Sequence, residues 1–275
     1  MSSKRVFIAF DVETTGLIPG VDRIVEIAGV AFRGPEVIDT FARLVDPGIP
    51  IPSSASQVNG IFDAMVRGAP PVEQALPDFL SFLGRGTAMA HNASFDVGFV
   101  SAAIDAAGLP PPEGPILDTR GLARQAFPGR FSYGLENLAR DLRLDTQGAH
   151  RALADAHACR LLFQACLSAL GKAGDLAVEE LAALSGPALD FSSHAPRAPR
   201  AAAVLNQAIE EGAFVDISYR SAQGELTDRR IRPLSFTRIG GNIAVKAFCT
   251  LRNDERTFRL DSIVEARLAD DLRSG

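Results

Sequence analysis

An apolar run, Val6 to Phe10 (VFIAF), passes without a break into two carboxylates, Asp11 and Glu13, in the stretch FDVETTGL. Such a short run, bounded by turn residues, reads as a buried strand, and a strand places residues i and i+2 on one face. Asp11 and Glu13 then stand side by side, roughly 6.6 Å apart by strand rise. At an effective dielectric near 20 their repulsion amounts to about 2.5 kcal/mol, which demands a proton, a basic partner or a cation. A strand end fraying into water relieves the same repulsion, so the rest of the chain has to decide.

The order of the surrounding segments sets the fold class. Apolar period-2 segments near 5–10, 24–32 and 37–45, separated by turns around IPGVD and RGPE, predict three sequential strands. Short strands and helices then alternate. TAMA (87–90) leads into a helix that Ser94 is placed to cap and that ends near Gly108, ILD (116–118) leads to helices near 119–126 and 135–142, and a long helix covers 151–170. Three strands followed by β-α-β units predict an α/β fold, a mixed sheet flanked by helices. From 171 to 199 the chain holds one short helical candidate, DLAVEELAAL, within Pro-, Ser-, Ala- and Arg-rich sequence, and reads as a linker. Beyond it, a helix (AAAVLNQAIEEG) precedes the strand-like runs FVDISYR, RRIRPLSFT, NIAVKAFC and RTFRLDSIVEARL, the pattern of a small antiparallel β-barrel. The expected division is therefore 1–170, 171–199 and 200–275.

A hydrophobic content of 47% in 275 residues is ample for such cores. No apolar stretch approaches the length of a membrane span, so a cytoplasmic protein without a membrane partner is expected. Cys159, Cys166 and Cys249 form no C-x-x-C pair and read as core residues in a reducing compartment. The net charge of −5 conceals a division: residues 1–196 carry 15 basic and 22 acidic side chains, net −7, and residues 197–275 carry 13 and 11, net +2. Bound cations can offset the acidity of the first part, and the second is mildly basic.

Two more carboxylates fall where the first pair needs them. HNASFD places Asp96 just inside the helix that follows the fourth strand, where it can approach the tip of a neighbouring strand. AHRALADAHA places Asp155 five residues after His150; five helical steps would make the two diverge, so His150 is expected in the preceding loop and Asp155 in the second helical turn. A helix cap and a solvated helix face are the structural alternatives for Asp96 and Asp155 taken singly.

In ordered combination, FDVETTG, HNASFD and His150-x4-Asp155 resemble the motifs of the DEDDh (DnaQ-like, polymerase III epsilon-type) 3′–5′ exonucleases, over about residues 4–170. The resemblance implies a ribonuclease H-like sheet and a metal-dependent 3′–5′ exonuclease that releases nucleoside 5′-monophosphates. It also implies a site of Asp11, Glu13, Asp96 and Asp155 as ligands of two divalent cations, Mg²⁺ or Mn²⁺, with Asp11 bridging. Four hard oxygen donors suit such ions, which help phosphodiester hydrolysis by stabilising the attacking and leaving oxygens. His150 is the expected general base, because a neutral imidazole can accept a proton from the attacking water near pH 7; His157, about two helical turns on, is expected to pack or face solvent.

Thr14, Thr15 and Gly16 form a turn whose backbone can reach the terminal nucleotide, and His91 and Asn92 are expected to shape its pocket. Leu17 and Phe95 either pack beside the terminal bases or belong to the ordinary core. In VNGIFDAMV, Asn59 stands where the resembling family commonly has a His before Gly-Ile. The favoured partner is nucleic acid with a 3′ end, single-stranded DNA above RNA, together with a DNA polymerase or another repair protein. RNA trimming is the second choice.

Residues 200–275 resemble the WYL domains, which imply a small Sm- or SH3-like barrel; the eponymous Trp-Tyr-Leu is replaced by Ile243, Ala244 and Val245. Tyr219, Arg220, Arg232, Arg252, Arg256 and Arg259 are candidates to contact nucleic acid or a small anionic ligand, solvated strand faces being the alternative. A regulatory protein using the nuclease fold as a scaffold is the competing class of function, and the presence of every motif carboxylate favours the enzyme.

Overall fold

A computed structural model describes residues 5–144, 151–172, 177–192, 199–239 and 242–269. Two compact units emerge, one of residues 1–16 and 23–195, the other of residues 17–22 and 196–275.

The first unit is built on a five-stranded sheet. Its strands are β1 (Phe7–Thr14), β2 (Ile24–Arg33), β3 (Glu36–Leu44), β4 (Thr87–Ala90) and β5 (Leu117–Asp118), in the order β3-β2-β1-β4-β5. The sequential strands β1, β2 and β3 pair antiparallel, and β4 and β5 add in parallel, giving the mixed sheet that the segment order predicts. β1 extends past its apolar run to include Asp11 and Glu13, so the carboxylate pair stands on the strand itself. The edge strand β3 is largely exposed and carries Glu36, Asp39 and Arg43, which discourage pairing with another chain.

Strand alternation sorts the sheet's two faces. Ile8, Phe10 and Val12 point into one core with α3 (Val72–Leu83) and α4 (Ser94–Ala107); Phe7 and Ala9 point into another with α5 (Thr119–Ala126) and α7 (Ala152–Ala169). Asp11 and Glu13 continue the Phe7–Ala9 face, so the fold directs them toward the side on which α7 packs. Gly29 lets α3 approach β2, since a Cβ there would stand 2.8 Å from the Phe82 ring.

Three details depart from expectation. Ser94 does not cap α4: Ala93 holds the cap position, no side chain bonds there, and Ser94 is the first helical residue. Two short helices, α1 (Ser53–Asn59) and α2 (Asp63–Val66), arise in a stretch that has no marked periodicity. Residues 177–192, read as linker, are part of the first core: α8 (Val178–Ser185) buries Leu181, Phe191 is 5% exposed, Ile116 N–H donates to Leu189 O, and Ser101 Oγ–H donates to Phe191 O. Composition suggested a linker because the anchors are few and widely spaced among small residues. α6 (Leu135–Asp141) packs on α7 and completes the unit.

The second unit has α9 (Pro199–Glu211) against an antiparallel sheet of β6 (Val215–Arg220), β7 (Leu226–Ile239), β8 (Asn242–Cys249), β9 (Asp254–Arg259) and β10 (Ile263–Leu268). The order is β10-β6-β7-β8-β9, with β9 and β10 as the two edges among the described residues. Leu205 and Ala208 of α9 meet Val215, Ile231, Val245 and Phe258 in its core. The last predicted strand is two strands, because a 3₁₀ turn at Leu260–Ser262 buries Leu260 and carries the chain from one edge of the sheet to the other. β7 shifts register between Pro233 and Ser235, where a proline that cannot donate to the ladder is tolerated.

Candidate active site

β1 runs five residues beyond its last pairing with β4, at Ala9. In this overhang Val12 N–H donates to Asp96 Oδ1 at 3.1 Å, which fastens the first turn of α4 to the strand between Asp11 and Glu13. Asp96 is 2% exposed and accepts from the strand, so the second motif's carboxylate is a buried acceptor rather than a helix cap. From the other side, α7 brings in Asp155: oxygens of Asp11, Glu13 and Asp155 all lie within 4.8 Å of one another.

Gathering these charges raises their proton affinity. Burial, then the neighbouring charges of Asp96, Glu13 and Asp155, lifts the Asp11 carboxyl well above its ordinary range. Glu13 is pushed up to about 8, by burial first and then by Asp155, Glu26 and Asp96, with Arg151 opposing. Carboxyls that hold protons this tightly are short of positive charge, and an all-oxygen set at this spacing fits a hard divalent cation. This is the fit that the repulsion between Asp11 and Glu13 anticipates.

The remaining expected contacts divide. Thr14 Oγ1–H donates to Gly16 O, and Thr15 Oγ1 accepts from Arg23 N–H, so both threonines brace the turn after β1. Asn59 is buried; its amide donates to Thr14 O at 3.3 Å, and its side-chain oxygen accepts from Ile61 N–H. His91 Nε2 lies 2.9 Å from Tyr133 O and Nδ1 lies 3.0 Å from Thr119 Oγ1, which assigns the proton to Nε2 and makes Thr119 the donor to Nδ1. Burial lowers its pKa to about 4, so the ring is neutral and both its nitrogens are engaged by protein.

Asn92, in left-handed backbone conformation, receives Arg120 on its side-chain oxygen and gives its N–H to Asp118. Phe95 packs on the core and meets Phe99 edge to face. Leu17 falls in the second unit, with residues 17–22. His150 lies outside the described residues. Half-buried His157 has its pKa lowered by burial and then by Arg160. All three cysteines are free and buried.

In the second unit, Tyr219 packs edge to face on Phe258, and Arg259 is paired with Asp261. Arg220, Arg232, Arg252 and Arg256 are exposed.

Two groups beside the acidic cluster were not anticipated, Glu26 and Arg151. Arg151 donates to Glu26 Oε1 at 2.6 Å and Oε2 at 3.0 Å. The signal for the first was present: Glu26 is the lone charge inside the apolar run IVEIAGVAF, and a charge in a buried strand requires a partner. A cleft of about 430 Å³, lined by Asn137, Arg140 and Arg143 on one side and by Ala154, Asp155 and Ala158 on the other, opens next to the third motif.

The chain is similar to several known proteins. DNA polymerase III subunit epsilon of Treponema pallidum is 40% identical over 159 residues, 57% of this chain and 74% of that protein. DNA polymerase III PolC-type of Halalkalibacterium halodurans is 39% identical over 152 residues, 55% of this chain, and the chain spans only about a tenth (11%) of that much longer relative. Among solved structures, exonuclease X in complex with 5′ overhanging duplex DNA superposes with a TM-score of 0.51 at 30% identity, covering 66% of this chain and 99% of that one. E. coli exonuclease I in complex with a dA16 oligonucleotide shares the fold, with a TM-score of 0.55 at 15% identity over 90% of this chain and 55% of that one. The WYL domain family matches residues 200–268, and the exonuclease family matches residues 8–163, more than half of the chain. On the strength of that match and of the acidic cluster it encloses, the chain belongs to the exonuclease family.

Proposed function

We propose that this protein is a divalent-cation-dependent 3′–5′ exonuclease that removes nucleoside 5′-monophosphates from DNA, single-stranded ends above all, in the replication or repair setting that its relatives' names suggest. The observation that carries this is the convergence of Asp11, Glu13 and Asp155, with Asp96 buttressing the strand between the first two. Asp11, Glu13 and Asp155 hold the cations, Mg²⁺ or Mn²⁺, and Asp96 completes the acidic set. When bound, the cations neutralise the carboxylates and stabilise the charge that develops on the phosphoryl group.

The chain's own groups do the rest. Asn59 and the Thr14–Gly16 turn set the backbone against which the terminal nucleotide rests, and His91 and Asn92 hold the opposite wall through Tyr133 and Arg120. His150 takes the proton of the attacking water. Arg140 and Arg143 give the cleft beside Asp155 the positive charge that a phosphate needs. We extend the catalytic domain from residue 170 to residue 195, with residues 17–22 left to the other unit, because α8 and Phe191 belong to its core. The WYL-like unit we read as the Sm- or SH3-like barrel of its family, an accessory module whose Arg220, Arg232, Arg252 and Arg256 meet nucleic acid or a small anion.

The test is digestion of 3′- and 5′-labelled single-stranded DNA, duplex DNA and RNA with Mg²⁺, Mn²⁺ or EDTA. Stepwise shortening from the 3′ end of DNA, abolished by EDTA, is expected. Preference for RNA would move the substrate, and cation-independent cleavage would remove the mechanism.

A further inference from the structure

β2 carries one charge into the core. Glu26 is 4% exposed and stands directly across the β1–β2 ladder from Glu13, on the same face of the sheet. Cross-strand neighbours have Cβ atoms about 4.5–5.5 Å apart, so Glu26 adds a further negative charge to a face already crowded with them. Its chemistry makes it a candidate ligand for the same cations, but both oxygens are committed. Oε1 accepts from Arg151 Nη2, and Oε2 accepts from Arg151 Nε and from the backbone N–H of Ala152 at 3.0 Å.

These bonds define a role. The N–H groups of a helix's first turn lack partners within the helix and are ordinarily met by a capping side chain. At α7 the cap residue is Arg151, whose side chain makes no capping bond, and the missing acceptor comes from Glu26, 126 residues earlier in sequence. Arg151 also holds the next link, because its carbonyl accepts from the N–H of Asp155 at 3.0 Å. The chain of contacts therefore runs from β2 through the guanidinium to the amide of the residue that brings the third carboxylate to Asp11 and Glu13.

We propose that the Glu26–Arg151 pair is a positioning device for the third motif: it fixes the first turn of α7 on the sheet so that the Asp155 carboxylate reaches the cation site. This deepens the nuclease reading above and rests on it for the kinetic arm of its test only.

The decisive variant is Arg151→Met, because electrostatics and positioning predict opposite signs. Removing a positive charge beside an acidic site tightens cation binding if charge is all that matters. If the pair positions Asp155, Mn²⁺ binding to the full chain, measured by calorimetric titration, weakens by about tenfold or more, the range found for partners that orient metal ligands. Glu26→Gln is expected to weaken binding likewise, and the double variant to lose little more than either single one, since the two act as a unit. Arg151→Lys keeps the charge and loses the two-pronged geometry, so it falls between wild type and Arg151→Met. Where Arg151→Met does not retain the wild-type circular dichroism spectrum, Arg151→Lys carries the test.

In the kinetic arm, kcat on a short oligonucleotide falls on the order of 10²-fold while KM changes less than about threefold, because the loss lies in arranging the reacting groups. Unchanged or tighter Mn²⁺ binding by the folded Arg151→Met variant, or Arg151→Lys equal to wild type, overturns the proposal. A wild-type protein that binds Mn²⁺ but cleaves no nucleic acid overturns the proposed function and leaves the binding comparison decisive for the pair. A wild type that binds no Mn²⁺ overturns both.

Discussion

Glu26–Arg151 in the first unit and Asp216–Arg230 in the second are the same interaction in two settings. Each is a two-pronged carboxylate–guanidinium pair, with contacts of 3.0 and 2.6 Å in one and 2.8 and 2.8 Å in the other. Side-chain exposure separates them: Glu26 is 5% exposed and Asp216 is 47% exposed. A carboxylate sealed in a sheet must be paired or neutralised, and breaking its pair leaves an uncompensated charge. On an open strand, water takes over most of what the partner provided, and such pairs contribute roughly 0–1 kcal/mol. The first pair thus holds a charge that must stay matched, and the second holds one that water can serve in the partner's place.

The largest expected effect tests that contrast at its centre. Asp11→Ala should lower DNA hydrolysis by on the order of 10³-fold or more, since it removes a carboxylate that would hold the cations by which the developing charge is stabilised. The same change should raise the melting temperature of the cation-free protein, because it relieves repulsion that burial magnifies. A cation-free melting temperature that falls would mean that the charge is not strained. Arginine substitutions at 220, 232 and 256 together should instead spare turnover at saturating DNA and reduce the salt slope of single-strand binding by about 0.7 for each phosphate that is no longer neutralised. An unaltered slope would assign that face to another ligand or to none.

Packing around the first unit gives the next effect. A Cβ at Gly121 would stand 1.6 Å from the carbonyl oxygen of Ser185, so α8 can seat on α5 only with glycine there. Gly121→Ala should cost about 3 kcal/mol in urea denaturation, by forcing α8 away from the core. A fragment of residues 1–172 should show a similar loss, and one of residues 1–195 should not. Equal stability of the two fragments would return 177–192 to the status of a linker.

Next comes pH. Glu13 has a folded-state pKa of about 8 against an ordinary 4.5, so the folded chain retains a proton over this interval that the unfolded chain has released. Stability of the cation-free protein should therefore be greatest at and below about pH 4.5 as far as this group is concerned, and should fall as pH rises toward 8. Thermal melts at pH 5, 6.5 and 8 in EDTA check the sign, and added Mn²⁺ should remove most of the decline. The smallest effect is Asp216→Asn, expected to change stability by less than about 1 kcal/mol.

The sequence made the mixed sheet flanked by helices legible, because strand periodicity and helix punctuation are local signals. Asp11 and Glu13 announce a shared face by their spacing alone. The role of Glu26 was not legible in the same way: its partner is on another element, and only the folded ladder sets it opposite Glu13. Leu181, Leu189 and Phe191 were hidden for a different reason. They are single apolar anchors in a segment of small residues, too sparse to establish a period, yet each finds a site in a core that other segments create. The break between β9 and β10 escaped because Leu260 keeps the apolar pattern running through the turn.

The distance along the chain between Glu26 and Arg151 has a consequence during synthesis. β1, β2 and β3 leave the ribosome before the helices of their unit, with the first two carboxylates already on them, whereas Arg151 and Asp155 follow some 125 residues later. At about 5–20 residues per second that delay is on the order of ten seconds, during which the face of β2 that α7 later covers stays bare, although α3 can already pack on the other. An unpaired Glu26 in its middle then acts as a gatekeeper, since a charge within an apolar stretch opposes stacking against another nascent chain. The residue that later anchors α7 would first keep β2 from aggregating, and no cutting site would exist until its last carboxylate had arrived.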